Sequence, residues 1–268
     1  MKDADCTAFL QWALPRLGMR WTGFCRVRRQ VCKRVARRIG ELGLGDLVGY
    51  RGLLESDSEE WTQLDGLCRI SISRFYRDHG VWRSLEQEIV PRLVVQARGR
   101  GDNRLRIWSA GCASGEEPYS LALLLAFAVA LDGAKAQILA TDADPHMLER
   151  ARRACYPASS LRDLPQAWRA AFEESNGEHC LRPAYRRAVR FSEQDIRREY
   201  PEGHFDLILC RNLAFTYLDP TLQVAIARRL AELVFPGGFL VLGAHESLPM
   251  LAEGFAAERT WLYGRLME

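Results

Sequence analysis

Ile107-Trp108-Ser109-Ala110-Gly111-Cys112-Ala113-Ser114-Gly115-Glu116-Glu117-Pro118-Tyr119-Ser120 reads as a strand, a loop with two glycines and the first turn of a helix. Glycine at such a junction lets a ligand approach the backbone closely, although a tight turn alone also selects it. The spacing is not the Gly-x-Gly-x-x-Gly of a dinucleotide site. The acidic pair Glu116-Glu117 would repel a pyrophosphate at the helix start, so a ligand with a cationic part fits better.

The next strand ends in Ala140-Thr141-Asp142-Ala143-Asp144. Asp144, before Pro145, reads as a helix N-cap. Asp142 then lies at the C-terminal edge of a neighbouring parallel strand, where a carboxylate can accept both hydroxyl protons of a ribose. A glycine loop with a ribose acid and no phosphate site suits a nucleoside such as S-adenosylmethionine, bound through Gly111, Gly115 and Asp142.

Outward from this stretch, short β-rich runs alternate with helices. Leu105–Ala110, Ala136–Thr141, Phe205–Cys210 and Phe239–Gly243 read as strands, and Pro236-Gly237-Gly238 as a turn. Helices are expected from Glu117 to Leu131, from Pro145, and from Thr221 to Leu233. Strand-helix alternation predicts an α/β fold with a mostly parallel sheet. Upstream, Phe24–Gly40, Ser56–Leu67 and Val81–Gln96 have helical periodicity, so residues 1–96 are expected to form a small all-helical domain. The exposed composition of Ala97–Asn103 sets its boundary with a second domain, 97–268.

The net charge is +3, and residues 1–50 hold ten Lys and Arg against four Asp and Glu, about +6. In the 24–40 helix, Phe24, Val27, Val31, Val35 and Ile39 form an apolar stripe ended by Gly40. Arg26, Arg28, Arg29, Lys33, Arg34, Arg37 and Arg38 cover much of the rest. A solvated helix gives this pattern, and so does a surface for an acidic protein partner; the modest global charge argues against nucleic acid. Without a long apolar run or secretory signal, the chain is expected to be cytoplasmic, monomeric and not inserted in a membrane. Eight cysteines without a Cys-x-x-Cys pair read as free thiols, and five dispersed histidines give no metal site.

Four motifs in order, Gly111–Ser120, Thr141–Asp144, Cys210-Arg211-Asn212 and Gly237–Leu248, resemble the CheR family of chemotaxis-receptor methyltransferases. The resemblance extends upstream through Ile70–Asp78 and implies a class I, Rossmann-like methyltransferase domain after a small helical one. It implies S-adenosylmethionine as cofactor, S-adenosylhomocysteine as product, and transfer to glutamate side chains of a receptor or related signalling protein. It further implies cofactor contacts from Ser71, Ser73, Arg77, Glu117, Asp142, Asp195, Ile196, Arg211 and Asn212, and catalytic roles for Arg77 and Tyr217.

Ser71 and Ser73 stand where the family has Asn and Thr, and the loop before Tyr217 is one residue longer than the family spacing. Residues 156–190 fall where the family carries an inserted β subdomain that docks a receptor tail. With Pro157, Pro165, Pro183 and few β-branched residues, their composition argues against an intact sheet. An enzyme acting on a small carboxylic acid and a non-catalytic cofactor-sensing module are the alternatives to a protein-glutamate methyltransferase.

Overall fold

The computed structural model describes residues 2–71, 73–131, 133–250 and 253–266. The chain divides into two compact units, Met1–Ile70 with Thr216–Leu222, and Ser71–Phe215 with Gln223–Glu268.

The first unit contains α1 (Asp3–Ala13), α2 (Trp21–Phe24), α3 (Arg28–Glu41), α4 (Leu47–Ser56) and α5 (Ser58–Cys68). Val31, Val35 and Ile39, four residues apart on α3, are its buried stripe. Gly40 lies inside α3 and does not end it; the helix closes at Leu42, and Gly43 takes the left-handed conformation at φ +68. The expected basic face is largely consumed within the unit. Arg28 pairs with Asp3, Arg37 with Glu41 and Arg38 with Glu60, while Arg34 donates to the carbonyls of Leu67 and Arg69. Arg26, Arg29 and Lys33 remain exposed.

Not all cysteines are free. Cys6 on α1 is bonded to Cys32 on α3, and Cys155 to Cys180 in the second unit. Both pairs meet through element packing that sequence spacing does not encode. Cys68, Cys112 and Cys210 are buried free thiols, and burial pushes Cys68 up to about 12.

The polar centre of this unit is Glu60, 4% exposed, which accepts from Tyr50 Oη at 2.8 Å and from Arg38 Nε and Nη2 at 3.0 and 2.6 Å. The Arg38 hydrogen bond holds the Glu60 carboxyl below the usual carboxylate range despite burial. Thr216–Leu222 completes the unit. Arg20 N donates to Tyr217 O at 2.9 Å, Met19 bridges Leu218, and the Tyr217 ring packs on Phe24 at 5.1 Å.

The second unit begins with α6 (His79–Ser84), a π turn over Leu85–Ile89 and α7 (Val90–Gly99). These helices share a core with the sheet through Trp82, Leu85, Ile89, Leu93, Leu105, Ile107 and Leu207. The unit boundary therefore falls at Ile70/Ser71 rather than at 96/97, because the exposed linker at 97–103 joins a helix to the strand it packs against.

The chain continues through β1 (Arg104–Ala110), α8 (Glu116–Phe127), β2 (Lys135–Asp142), α9 (Pro145–Arg153), β3 (Cys155–Tyr156), β4 (Phe172–Ser175) and β5 (Glu178–Leu181). After α10 (Pro183–Arg186) come β6 (Val189–Glu193), β7 (Phe205–Leu209), α11 (Ala214–Tyr217), α12 (Pro220–Leu233), β8 (Val234–Val241), β9 (Phe255–Arg259) and β10 (Leu262–Arg265). Seven strands form one sheet in the order β6-β2-β1-β7-β8-β10-β9, parallel from β6 to β8 and antiparallel beyond. Pro236-Gly237-Gly238 lies within β8, absorbed where the β7–β8 register shifts. Strand order reverses between β1 and β7, which opens a crevice at their C-terminal ends.

The insert does contain a sheet, β3-β5-β4. The β4–β5 hairpin turns on Asn176 (φ +50) and Gly177 (φ +76), the left-handed pair that a two-residue turn favours. That turn and the cross-strand Cys155–Cys180 bond outweigh the low β propensity of the strands.

Replacing Glu60 with Ala leaves Tyr50 and Arg38 without their acceptor and is expected to cost the first unit about 2–3 kcal/mol, because Arg38 keeps partial contact with water. Because the folded-state value of Glu60 lies below its unfolded value of about 4.3, its contribution is present above that pH and is lost as pH falls through the folded value. Chemical denaturation between pH 7 and 3 checks both; an acid limb unchanged in Glu60→Ala would refute the assignment.

Candidate functional site

The loops after β1, β2 and β6 are stitched together by backbone groups at the crevice. Gly111 N and Cys112 N donate to Thr141 O at 2.7 and 2.9 Å, and Gln194 N donates to Asp142 O at 3.1 Å. Gly111 has φ +74, and a Cβ there would collide with the Leu213 side chain; Gly115 has φ +91, and its Cβ would lie 2.9 Å from Ala151 Cβ. Glycine is required at both positions.

Four non-glycine residues around this crevice adopt left-handed backbone, each a conformation that costs about 1 kcal/mol or more unless its surroundings impose it: Tyr76, Asp78, Ala113 and Asn212. Each is held. Ala113 N donates to Asp142 Oδ2 at 2.8 Å, Tyr76 N to Ser120 Oγ at 2.9 Å, and Asn212 N to Glu246 Oε2 at 2.6 Å. Asp78 Oδ2 accepts from Arg211 Nη2 at 2.7 Å.

Arg211, with only 4% of its side chain exposed, links the parts. Besides Asp78 it reaches Glu117 Oε2 at 3.1 Å and the Arg77 carbonyl at 3.1 Å, while Ser109 Oγ donates to Glu117 Oε1 at 2.8 Å. Its Nε is buried without a hydrogen-bond partner among the described residues. Burial raises Glu117 above the usual carboxylate range, against the opposing pull of Arg211. Burial likewise raises Glu116, which accepts hydrogen bonds from Ser114 and Ser73.

The structure thus brings Ser73, Arg77, Gly111, Gly115, Glu117, Asp142, Arg211 and Asn212 around one crevice. Ser71 is half-buried at the start of the same segment. Asp195 follows Gln194 beside Asp142, its carboxylate held by Arg197 Nη2 at 2.6 Å, and Ile196 is buried. Tyr217 belongs to the first unit, where it packs on Phe24.

Two residues absent from the sequence-based set are built into this arrangement. Asp78 anchors Arg211, and Glu246, 4% exposed, accepts from both Asn212 N and Gly243 N, the latter at 2.7 Å. The signal for Glu246 was an acid three residues after Gly243 in the Gly243-Ala244-His245-Glu246-Ser247 run that follows β8.

The donor set suits a cationic nucleoside. Asp142 accepts from Ala113 N through Oδ2 and from Asp144 N through Oδ1, and an ionised carboxylate is an acceptor of the kind a ribose diol requires. Glu116, Glu117 and Asp142 put three carboxyl groups beside the glycine loop, a setting that disfavours phosphates.

Residues 71–261 match the family described as CheR methyltransferase, SAM binding domain. The chain belongs to the CheR family. It is 35% identical over 212 residues to a chemotaxis protein methyltransferase of Listeria innocua, covering 78% of each chain. It is 33% identical over 245 residues to those of Salmonella typhimurium and Escherichia coli, covering 88% of this chain and 82% of each relative. This CheR-family protein is therefore an S-adenosylmethionine-dependent methyltransferase of class I fold.

Substituting Arg211 with Met leaves Glu117 buried without its cation and is expected to destabilise this unit by about 3–5 kcal/mol. Adding Glu117→Gln removes the uncompensated charge and should recover part of the loss. Denaturant titration of the single and double variants gives the coupling; strictly additive losses would show that the two residues act independently.

Proposed function

We propose that this enzyme transfers the S-adenosylmethionine methyl group to glutamate side chains of a chemotaxis-type receptor or related signalling protein. The supporting observation is the carboxylate-rich crevice around Gly111 and Asp142 in a chain whose relatives are chemotaxis protein methyltransferases. When bound, the cofactor supplies a sulfonium-activated methyl group. In this reading Asp142 accepts the ribose hydroxyls, and Asp195-Ile196 borders the base. Glu117, Arg211 and Asn212, with Ser71 and Ser73, shape the amino-acid end.

Arg77 holds the acceptor carboxylate in two-point contact, which a guanidinium can do and an ammonium cannot. The acceptor is ionised at neutral pH, so displacement needs alignment and exclusion of water rather than a general base. One carboxylate oxygen forms a bond to the methyl carbon, the carbon–sulfur bond breaks, and its electron pair stays on sulfur. The products are a methyl ester and S-adenosylhomocysteine.

Arg77 also has a positioning argument from the fold. Its carbonyl receives Trp82 Nε1 at 2.7 Å as well as Arg211, so its backbone is fixed independently of its side chain. Arg77→Ala is therefore expected to keep the melting temperature while single-turnover transfer at saturating cofactor falls about 100-fold. A retained rate would exclude the catalytic role. The acceptor class is read by incubating purified protein and labelled cofactor with a receptor methylation-region fragment and with small acids. Base-labile label on the fragment is the expected result, and label on small acids alone would overturn the protein-substrate reading.

In the same reading the substrate meets the exposed part of α3, namely Arg26, Arg29 and Lys33, through charge complementarity. No described helix is long and apolar enough to cross a membrane. A cytoplasmic monomer goes with this reading. Reversing Arg29 and Lys33 to Glu should raise KM for the receptor fragment and flatten its salt dependence, with kinetics toward a small acid unchanged. Equal loss for both substrates would make the helix purely structural.

A further inference from the structure

The β1-to-β2, β2-to-β6 and β7-to-β8 connections each contain a helix, but residues 194–204, which join β6 to β7, contain none. A parallel sheet is usually covered on both faces. Here Ile107, Ile138 and Ala140 face the cores that contain residues of α8 and α9, while the other face of β6, β2 and β1 carries Arg190, Leu139, Gln137 and Arg106 in register. That face is the floor of an open cleft of about 820 Å³, lined by strand and loop residues and distinct from the cofactor crevice.

The cleft is electrically one-sided. Arg104, Arg106, Arg187 and Arg190 line it, and Glu202 is the only acid in its lining among the described residues. Asp102 sits 2.8 Å from Arg106 and 4.0 Å from Arg104, but Arg187 and Arg190 have no ion-pair partner among the described residues. Gln194 also lines the cleft, and its Oε1 is buried without a hydrogen-bond partner among the described residues.

Guanidinium groups only donate and select carboxylate or phosphate. A polypeptide rich in Asp or Glu supplies several carboxylates at spacings set by its backbone, which a compact phosphate does not. Arg106 and Arg190 flank the β2 floor from strands two apart, a separation of about 10 Å that an extended chain lying over β2 can span with side chains on both sides.

We propose that this cleft binds an extended acidic segment of a protein partner. The inference does not depend on the identity of the methyl acceptor, and it concerns arginines outside both the cofactor crevice and α3. Exposed arginines beside an edge strand also discourage sheet-to-sheet aggregation, but that role does not account for the concave floor they line.

The test is calorimetric titration of the full chain with a hexaglutamate peptide and, separately, with inorganic pyrophosphate. S-adenosylhomocysteine binding serves as the control for folding. Hexaglutamate is expected to bind, and the pair Arg187→Glu with Arg190→Glu should raise its Kd by about tenfold or more, with a reduced salt slope. Reversing the exposed Arg228 on α12, outside the cleft lining, to Glu should leave that Kd unchanged. No binding of hexaglutamate, or equal affinity in the cleft variant, would overturn the proposal. Tighter binding of pyrophosphate that the cleft variant abolishes would replace the peptide by a phosphate ligand. If the cleft variant lost S-adenosylhomocysteine binding, Arg187→Gln with Arg190→Gln would repeat the comparison without charge reversal.

Discussion

Arg211 is a single guanidinium set among acids, and the crevice takes its form from that imbalance. It touches Glu117, Asp78 and the Arg77 carbonyl, so it joins the start of α8, the segment that leads into the second unit, and the end of β7. Without it Glu117 would be a buried carboxylate with the Ser109 hydroxyl but no cation beside it, and such a group is expensive in a low-dielectric setting. Carboxyl groups gathered beside one buried guanidinium make a setting suited to a cofactor with two positive centres. One side chain thus couples the integrity of the fold to the electrostatic preference of the site.

The strained residues follow the same logic. Ala113, Asn212, Tyr76 and Asp78 sit in backbone conformations that their side chains disfavour; the first three are held by hydrogen bonds their N–H groups donate to Asp142, Glu246 and Ser120, and Asp78 by one it accepts from Arg211. The acids therefore act twice, as charges toward the crevice and as acceptors that set the turns of its walls. This explains why the donor-set residues cannot be exchanged without also disturbing the loops. It also explains why Gly243 admits no side chain, since a Cβ there would lie 2.6 Å from Asn212 Nδ2.

How much of this was legible depends on whether the signal is local. The loop Gly111–Gly115, the carboxylate at the end of β2 and the strand-helix alternation are local patterns, and the structure has each where the sequence puts it. Gly40 was misread because glycine is tolerated in a final helical turn, and only the following residues show that the chain closes at Leu42 and Gly43. The helices over 79–99 were assigned to the wrong unit because periodicity reveals an apolar face but not what that face packs against. The same blindness hid Cys6–Cys32 and Cys155–Cys180, as well as Glu246, whose partners lie three and thirty-four positions away. In the insert, the reading rested on prolines and β-branched content, and the local Asn176-Gly177 pair that makes the turn was not used.

The first unit is discontinuous in the chain, because Phe24, Arg20 and Met19 find partners in Thr216–Leu222. A growing polypeptide emerges from the ribosome in one direction, so the N-terminal helices must wait through most of synthesis with the Phe24 ring uncovered. Almost the whole parallel sheet has been made before the segment that covers it appears. The protein is thereby committed to maturing late: its first-made part is among the last to be finished, and a prematurely terminated product would present that unfinished surface to chaperones and proteases.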